Sequence, residues 1–492
     1  MNTCLRMLLF VGLFLCAATS LAQAPLAPLD AKQLASIDDF VNHEMARQRI
    51  PGLALGIYSR GRILLAKGYG LANVELNVPV TPETIMQSGS VGKQFVSAAV
   101  MMLVEEGKIS LDDSITKYFP DAPDTWKPIL IKNLLSHTSG LSEYLSHDRR
   151  GPNGPFYLRL DFTEDELAKK IEALPIEWGP GEDWEYCNTN YLLLGIVIHK
   201  ITGMPYADFL SERIFKPLGM ASTRLISDRD IILNRAAGYQ IDSNGELKNQ
   251  AWVSPTFNSD AAGGLYFNVL DLAKWDEALY GTRLLTESSL DRIWTVYPLN
   301  DGKLNPRGYG FGWRISTQDD HKRIEHGGAW QGFTCDISRY PDDSLTVVVL
   351  TNLDEGHSNP GVIAHVVAGL VTPALTVPKL EAIADDHPEL AERLKKLLDE
   401  IVAGTDIRPE TIPQLAALFT PDEAKQMQQR MATLWPGGTL TLVKRDKGIE
   451  GGAQWISTYR LSKGSDAMLL MFGLRADGKI ADLGRMPNRE YQ

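Results

Sequence analysis

The sequence contains little cysteine, no excess of positive charge and no long apolar run beyond its N-terminal segment. Four cysteines among 492 residues are too few for a disulfide scaffold, which needs several bridges in a short chain. Lys and Arg number 49 against 61 Asp and Glu, giving a net charge of -12. That balance argues against a nucleic-acid partner, which requires clustered cations. The hydrophobic fraction of 44% is typical of a folded globular chain.

The first residues have the three parts of a secretory signal peptide. One cation, Arg6, precedes the apolar run Met7–Cys16, and small residues follow it. Ser20 and Ala22 have the spacing of a cleavage site, which predicts a signal peptide over residues 1–22. The apolar run is well short of the roughly 20 residues that span a bilayer. We therefore expect an exported protein, periplasmic or secreted, with no stable membrane anchor after cleavage.

Two cysteines, Cys187 and Cys335, remain after that cleavage. Nothing in the sequence places them near each other, so we expect two free, buried thiols. The nine histidines form no H-E-x-x-H pattern, and the chain has no C-x-x-C pattern. We therefore expect neither a metal nor another cofactor.

Apolar spacing predicts an antiparallel sheet assembled from distant parts of the chain. Residues 52–70 alternate around a turn at Arg60-Gly61 and predict a hairpin. Four later strands are predicted over Phe311–Ser316, Arg323–His326, Gly332–Arg339 and Leu345–Thr351. Helices are predicted over 31–48, 91–106, 191–202 with a cap at Asn190, and 361–371. Because residues 110–300 consist mostly of helices and loops, we expect an α/β fold: an antiparallel sheet flanked by helices, with an all-helical insertion.

A change of composition between Pro373 and Pro388 separates a second unit. A charged helix follows and ends at Gly404, and then come a further helix and four strands with a hairpin turn at Asp477-Gly478. The predicted division is a main domain over 23–375, a helical linker over 376–404 and a small α+β domain over 405–492. The small domain is either a binding or dimerisation module or a stabilising appendage, and the sequence leaves both open, together with the oligomeric state.

Ser90 and Lys93 are the first residues with catalytic potential. They stand one turn apart at the start of a predicted helix, so the hydroxyl and the amine share a face. The helix N-terminus offers a backbone N–H and a positive dipole end to a developing anion. A lysine can take the serine proton when burial or neighbouring cations lower its pKa. Taken alone, however, S-x-x-K is better explained by an N-cap serine and a solvated lysine.

Tyr186 and Asn188 form a second candidate group. A phenol held near two cations loses its proton more readily and can act as a general base. The amide two residues later can hydrogen-bond a substrate carbonyl or orient the lysine.

A third group is His326-Gly327-Gly328, at the end of a predicted strand. Glycines in a strand let a substrate backbone approach its edge. The N–H of the following Ala329 can pair with the N–H of Ser90 as an oxyanion hole.

The three motifs S-x-x-K, Y-x-N and H-x-G, in this order, resemble those of the class C β-lactamase and penicillin-binding serine hydrolase family. Further segments typical of that family are Leu134–Leu141, Phe215–Met220, Gly263–Leu265, Asp271–Trp275 and Tyr309–Trp313. The resemblance covers roughly residues 30–370. It implies a β-lactamase/transpeptidase-like fold with the active site between the sheet and the helical insertion.

The resemblance also implies a role for each motif residue. Ser90 is the nucleophile that becomes acylated, and Lys93 accepts or relays its proton. Tyr186 acts as general base in acylation and as acid toward the leaving group. Asn188 supports Lys93 and the substrate, while Gly328 shapes the strand edge beside the oxyanion hole.

Three residues depart from the family pattern. His326 stands where typical β-lactamases have Lys, which favours D,D-peptidases, D-aminopeptidases and esterases over an efficient β-lactamase. Cys187 replaces Ser of Y-S-N, and we expect it to be buried and to face away from the substrate. Gln331 stands where Pro is common, which leaves the shape of that loop open. We expect His137 to be structural.

The leading hypothesis is an exported serine hydrolase that works through an acyl-enzyme on an ester, an amide or a D-amino-acid peptide. Its partner would be a small-molecule or peptide substrate, including one derived from peptidoglycan. The alternative is a penicillin- or peptidoglycan-binding sensor or scaffold without turnover. Spacing alone does not reveal the loops around 142–160 and 255–265, which set the choice of acyl group.

Overall fold

The structure, a computed structural model, describes residues 25–486 except 243, 319, 377–379, 417, 418, 420, 449–451 and 465. The predicted signal peptide lies outside the described residues.

Strands and helices occur in groups along the described chain. The strands are β1 Gly52–Ser59, β2 Arg62–Asn73, β3 Val78–Pro79, β4 Met86–Gln87, β5 Arg224–Leu225, β6 Tyr239–Ile241, β7 Leu247–Asn249, β8 Leu265–Phe267, β9 Arg314–Gln318, β10 His321–Trp330, β11 Phe333–Tyr340, β12 Leu345–Thr351, β13 Thr439–Lys447, β14 Trp455–Lys463, β15 Asp466–Leu474 and β16 Ile480–Met486. The α-helices are α1 Ala31–Gln48, α2 Lys93–Glu105, α3 Ile131–Leu135, α4 His147–Arg150, α5 Glu164–Glu172, α6 Asn188–Thr202, α7 Tyr206–Leu210, α8 Lys216–Leu218, α9 Pro255–Asn258, α10 Val269–Ala278, α11 Glu287–Ile293, α12 Pro360–Val371, α13 Pro388–Val402, α14 Pro413–Ala416 and α15 Pro421–Leu434.

A seven-stranded sheet forms the centre of the main domain, in the order β3-β2-β1-β12-β11-β10-β9. The early hairpin and the late strands meet where β1 pairs antiparallel with β12, with Leu53 opposite Thr351. All eight residues of β1 are buried, because this central strand is covered on both faces. The predicted sheet built from both ends of the domain is therefore confirmed.

Each face of the sheet packs against helices. On one face, Leu55 and Val349 of the sheet form a core with Val41 of α1 and Ile363 of α12. The other face belongs to a larger core that includes Phe95 of α2 and most of the insertion. Buried apolar area on both faces stabilises this layered arrangement.

The insertion consists mainly of helices and loops, as predicted, and it also has short strands. One small sheet has the order β4-β8-β5, and β6 pairs with β7. The first of these sheets places β8 beside the segment that precedes Ser90, because Met86 lies opposite Phe267.

Several predicted element ends differ from the structure. The strand predicted over Phe311–Ser316 spans Arg314–Gln318. The helix predicted from a cap at Asn190 begins earlier, at Asn188, with Cys187 as its N-cap, because tertiary hydrogen bonds hold Cys187 and Asn188 at its start. Its predicted end at Gly203 is confirmed by a left-handed φ of 70°. The strand predicted to end at His326 continues to Trp330, since Gly327 and Gly328 stay paired with Asp336 and Cys335.

The C-terminal residues form a separate core around the sheet β13-β14-β15-β16. Leu394 and Leu397 of α13 pack against Phe472 and Ile480 of this sheet. Arg430 of α15 donates a hydrogen bond to the Gly356 carbonyl of the main domain at 2.7 Å. The predicted helices and strands of this small α+β domain are present, while its exact boundaries stay a prediction.

Candidate active site

Ser90 lies in a 3-10 turn, Gly89–Gly92, directly before α2. Gly89 has a φ of +44°, and a Cβ there would lie 2.4 Å from the Ala329 nitrogen. Both facts require glycine at this position. The turn therefore brings the Ser90 backbone against the end of β10.

Lys93 is fully buried, and three oxygen atoms lie within hydrogen-bonding distance of its amine. Its Nζ lies 3.0 Å from Ser90 Oγ, 2.8 Å from Asn188 Oδ1 and 2.6 Å from the Ala262 carbonyl. Burial lowers the pKa of Lys93 to about 7, although the nearby carboxylates of Asp260 and Glu143 act in the opposite direction. Near neutral pH a large fraction of Lys93 is thus an uncharged amine beside the Ser90 hydroxyl.

The Tyr186 hydroxyl is buried within the same group. Lys93 Nζ lies 5.0 Å from the centre of the Tyr186 ring. Burial raises the pKa of Tyr186, and the neighbouring Ser90 hydroxyl opposes that rise. The phenol is therefore neutral in the resting site.

His326 is buried beside Tyr186, and the two ring centres lie 6.2 Å apart. Its Nδ1 lies 2.6 Å from the Gly327 carbonyl, which can only accept, so Nδ1 carries the proton. Its Nε2 then accepts from the Tyr309 hydroxyl at 2.8 Å. Burial, with a contribution from Lys93, lowers the pKa of His326 to about 3. The imidazole is neutral, unlike the lysine of typical β-lactamases.

The edge of β10 lies against the nucleophile turn at Gly328. A Cβ at Gly328 would lie 2.1 Å from the Ser88 carbonyl oxygen and 3.0 Å from the Ser90 nitrogen. Only glycine allows this approach. The arrangement brings the Ser90 and Ala329 backbones together, as an oxyanion hole formed by their N–H groups would require.

The residue at 331 is explained by the turn that follows β10. Gln331 has a φ of +45° and Gly332 a φ of +80°, and Trp330 pairs with Phe333 across them. Two central residues with positive φ are the mark of a two-residue hairpin turn. Proline cannot adopt that φ, so the loop here differs from one with Pro.

Both cysteines are free and buried, as predicted. Cys187 Sγ contacts the Leu141 carbonyl at 3.2 Å, away from the cavity. Cys335 Sγ contacts the Ser88 carbonyl at 2.9 Å, directly behind the nucleophile turn.

His137 packs against Tyr186. It is buried, and its ring centre lies 4.4 Å from that of Tyr186. Its Nδ1 accepts from the Cys187 nitrogen at 3.2 Å, which leaves the proton on Nε2. These contacts agree with the predicted structural role.

A cavity of about 620 Å³ opens in front of Ser90. Its walls include Tyr186, Asn188, His326 and Ala329, so the structure brings the predicted residues of three distant motifs to one place. Within the described residues, no group of three or more His, Cys, Asp or Glu side chains is placed to hold a metal ion.

Two acidic residues that line the cavity, Glu143 and Asp260, were not identified from the sequence. Glu143 hydrogen-bonds Asn188, and Asp260 accepts from the Ala262 nitrogen at 2.8 Å and from the Tyr144 hydroxyl. Burial raises the pKa of each carboxyl. Both lie within three residues of segments that resembled the family, but an acidic residue's burial cannot be read from its type.

A family model described as Beta-lactamase matches residues 37–371. The chain belongs to the beta-lactamase family. The match covers both the sheet and the insertion, and it contains all three motifs. Membership in this family of serine hydrolases confirms the resemblance drawn from the motifs.

Curated and solved relatives agree with this assignment. Penicillin-binding protein 4* of Bacillus subtilis (strain 168) is 30% identical over 312 residues, which are 60% of this chain and 66% of that protein. The octameric penicillin-binding protein homologue from Pyrococcus abyssi covers 91% of this chain and 94% of its own, with a TM-score of 0.61 and 23% identity. A D-stereospecific amidohydrolase from Streptomyces sp. covers 65% of this chain and 94% of its own, with a TM-score of 0.54 and 25% identity.

The chain spans slightly less than two thirds of the length of the first curated relatives, at 66% and 64%. The Pyrococcus abyssi structure supports the fold over most of this chain. Among the described helices, none is both long and apolar enough to cross a bilayer.

Proposed function

We propose that this protein is an exported serine hydrolase that forms an acyl-enzyme on Ser90 and cleaves an ester, an amide or a D-amino-acid peptide bond. The observation that carries the proposal is Lys93, whose amine lies 3.0 Å from Ser90 Oγ and whose pKa burial lowers to about 7. A base of that pKa is well matched to proton transfer at neutral pH.

Acylation begins at the Ser90 hydroxyl. Neutral Lys93 takes the proton of Ser90 as Oγ attacks the substrate carbonyl carbon, and the carbonyl π electrons move to its oxygen. The N–H groups of Ser90 and Ala329 donate to that oxyanion. Asn188 keeps its oxygen on the Lys93 amine at 2.8 Å, which helps stabilise the ammonium that forms.

Tyr186 acts as the general acid for the leaving group. Because burial raises its pKa, the phenol keeps its proton and is a weaker base than Lys93 in the resting enzyme. When the tetrahedral intermediate collapses, Tyr186 donates that proton to the departing oxygen or nitrogen and regains one from the Lys93 ammonium. In deacylation a water molecule attacks the acyl carbon and loses a proton to the pair of Lys93 and Tyr186. The same pair returns a proton to Ser90 Oγ as the bond between Oγ and the acyl carbon breaks.

His326 favours an esterase or D-peptidase over an efficient β-lactamase. A neutral imidazole, tied to Tyr309 and to the Gly327 carbonyl, offers no positive charge to a substrate carboxylate. A lysine at this place would offer one. The amidohydrolase neighbour described as D-stereospecific supports including D-amino-acid amides among the substrates.

Export supplies the setting for this activity. The predicted signal peptide over residues 1–22 would deliver the enzyme to the periplasm or the medium, where peptidoglycan-derived peptides are available. The expected partner is then a small-molecule or peptide substrate. We expect no nucleic-acid partner, no cofactor and no stable membrane anchor after cleavage.

Active-site labelling tests the proposal. The purified protein is treated with a fluorophosphonate and with a fluorescent penicillin, and the adduct is mapped by mass spectrometry. We expect the label on Ser90 and its loss in Ser90→Ala, while Ser110→Ala, at an exposed serine, labels like the wild type. Labelling that survives Ser90→Ala would overturn the proposal.

Turnover separates this function from a non-catalytic sensor or scaffold. A panel of p-nitrophenyl esters, D-alanyl-D-alanine peptides, D-amino-acid amides and nitrocefin is assayed with the wild type and Ser90→Ala. We expect multiple turnovers on an ester or a D-amino-acid substrate, and slow hydrolysis of nitrocefin. Stoichiometric labelling without turnover on any of them would favour the sensor.

A further inference from the structure

Glu143 contacts the catalytic group through Asn188. Its Oε2 accepts from the Asn188 backbone nitrogen at 2.6 Å and from the side-chain Nδ2 at 3.2 Å. The other face of the same amide, Oδ1, accepts from Lys93 Nζ at 2.8 Å. The carboxylate, the amide and the amine thus form a chain that ends at Ser90.

The chemistry of these groups allows one arrangement. A carboxylate only accepts hydrogen bonds, and the Lys93 ammonium that forms in acylation only donates them. If the Asn188 amide turned over, its NH₂ group would face the donor Lys93 and its oxygen would face the carboxylate of Glu143. Both contacts would then be repulsive, so Glu143 selects the orientation that Lys93 needs.

The backbone around Glu143 is held firmly in place. Its Oε1 accepts from the Leu145 nitrogen at 2.8 Å. Thr189 Oγ1 accepts from the Tyr144 nitrogen and donates to the Ser142 carbonyl, at 3.1 and 2.7 Å. The loop that carries the carboxylate is therefore bound to the first turn of α6, next to Asn188.

We propose that Glu143 is a positioning residue that fixes the Asn188 amide with its oxygen toward Lys93, and so sets the geometry and charge of the base. This inference rests on the proposed function of Ser90 and Lys93. The carboxylate has a second effect, since its negative charge favours the Lys93 ammonium and keeps the pKa of Lys93 from falling further.

Two substitutions separate orientation from charge. Glu143→Ala removes both, and we expect kcat/KM to fall about 10- to 100-fold, the range for a hydrogen bond to a charged group. Glu143→Gln keeps one oxygen for Asn188 but loses the charge. In that variant we expect a smaller fall in kcat/KM and an acid limb of the pH profile displaced to lower pH, because the Lys93 ammonium loses a stabilising anion.

The control is Glu177→Gln. Glu177 is an exposed acid that accepts a hydrogen bond from Ser142, the residue before Glu143. Its replacement should leave the pH profile unchanged. A double-mutant cycle with Asn188→Ala tests the path of the effect. Once Asn188 is absent, Glu143→Ala should lower kcat/KM much less than it does in the wild type, because only the through-space effect of the charge on Lys93 is left.

Additive losses in that cycle, or Glu143 variants with the pH profile of Glu177→Gln, would overturn the inference. Glu143→Gln keeps the test available if Glu143→Ala fails to fold. The Ser90→Ala variant is assayed in parallel. If it loses activity while the cycle is additive, only the role of Glu143 is rejected; if it retains activity, the proposed function is rejected and the inference with it.

Discussion

The two faces of β10 bury charged groups in opposite ways. On the face toward α12, Glu325 Oε2 lies 3.0 Å from Arg323 Nε and 2.6 Å from His365 Nε2. Burial alone would raise the pKa of Glu325, but the hydrogen bond and charge of His365 and the charge of Arg323 lower it. The result is a carboxylate that stays ionised and contributes to structure.

The other face of β10 carries His326 and lies toward Ser90 and Lys93. There, Lys93 of α2 has only neutral atoms as direct partners. The nearest acids, Asp260 and Glu143, act through space and offset only part of the effect of burial. The lysine pKa therefore falls toward neutrality. A titratable group that is buried beside an opposite charge, such as Glu325, therefore stays ionised. One that is buried among neutral groups, such as Lys93, has its pKa moved toward neutrality and can act as a base.

Replacing Lys93 should have the largest effect on activity. We expect Lys93→Met to lower kcat/KM about 1,000-fold or more, because the variant lacks the base that accepts the Ser90 proton. Its thermal unfolding should change less than its activity. The matched control is Lys108→Met, at an exposed lysine just after α2, and a Lys93→Met variant within tenfold of the wild type would contradict the assignment.

Breaking the ion pairs on the other face should mainly affect stability. Glu325→Gln removes the buried carboxylate that contacts Arg323 and His365, and we expect the free energy of unfolding to fall by about 3–5 kcal/mol. Urea denaturation measures this change. The exposed pair Glu246–Lys248 provides the comparison, since Glu246→Gln should alter the unfolding free energy by less than about 1 kcal/mol. Equal effects of the two substitutions would show that Glu325 is not a structural ion.

Neighbouring glycines of β10 report on the two faces separately. An alanine Cβ at Gly328 would lie 2.1 Å from the Ser88 carbonyl, whereas one at Gly327 would meet nothing closer than 3.7 Å. We expect Gly328→Ala to reduce kcat/KM about 100-fold through displacement of the nucleophile turn. Gly327→Ala should have a much smaller effect. Similar rates for the two variants, measured on one ester substrate, would mean that the close approach at Gly328 is not needed.

The pH dependence gives the mildest test. Because the Lys93 amine must be neutral, kcat/KM should fall about tenfold per pH unit below a pKa of about 7. The fold should persist there, since the lowered pKa of Glu325 gives stabilisation that is lost only as pH falls below the unfolded glutamate pKa of about 4.3.

Lys93 changes the free energy of unfolding in the same direction, but at higher pH. Its lowered pKa means that unfolding takes up a proton between about pH 7 and about pH 10, so the free energy of unfolding should rise with pH across that interval. Rate profiles and circular dichroism over the same buffers measure the two effects. Loss of activity and of structure at the same pH would contradict the separation of the two faces.

Much of the fold was predictable because it depends on local patterns. Alternating apolar residues identified the hairpin around Arg60-Gly61 and the four late strands, and glycines marked helix ends such as Gly203. The start of α6 was missed, because Cys187 and Asn188 are held by His137 and Glu143, which lie 50 and 45 residues away. The extension of β10 was missed because glycines are normally weak strand formers.

The sequence by itself identified the candidate catalytic residues and the order of the three motifs that hold them. Tertiary structure alone decided the state of those residues. The pKa of Lys93 falls because the Ala262 carbonyl, 169 residues away, and Asn188, 95 residues away, enclose the amine without a direct charge partner. Desolvation and neutral hydrogen bonding depend on such distant contacts, and no local pattern in the chain encodes them.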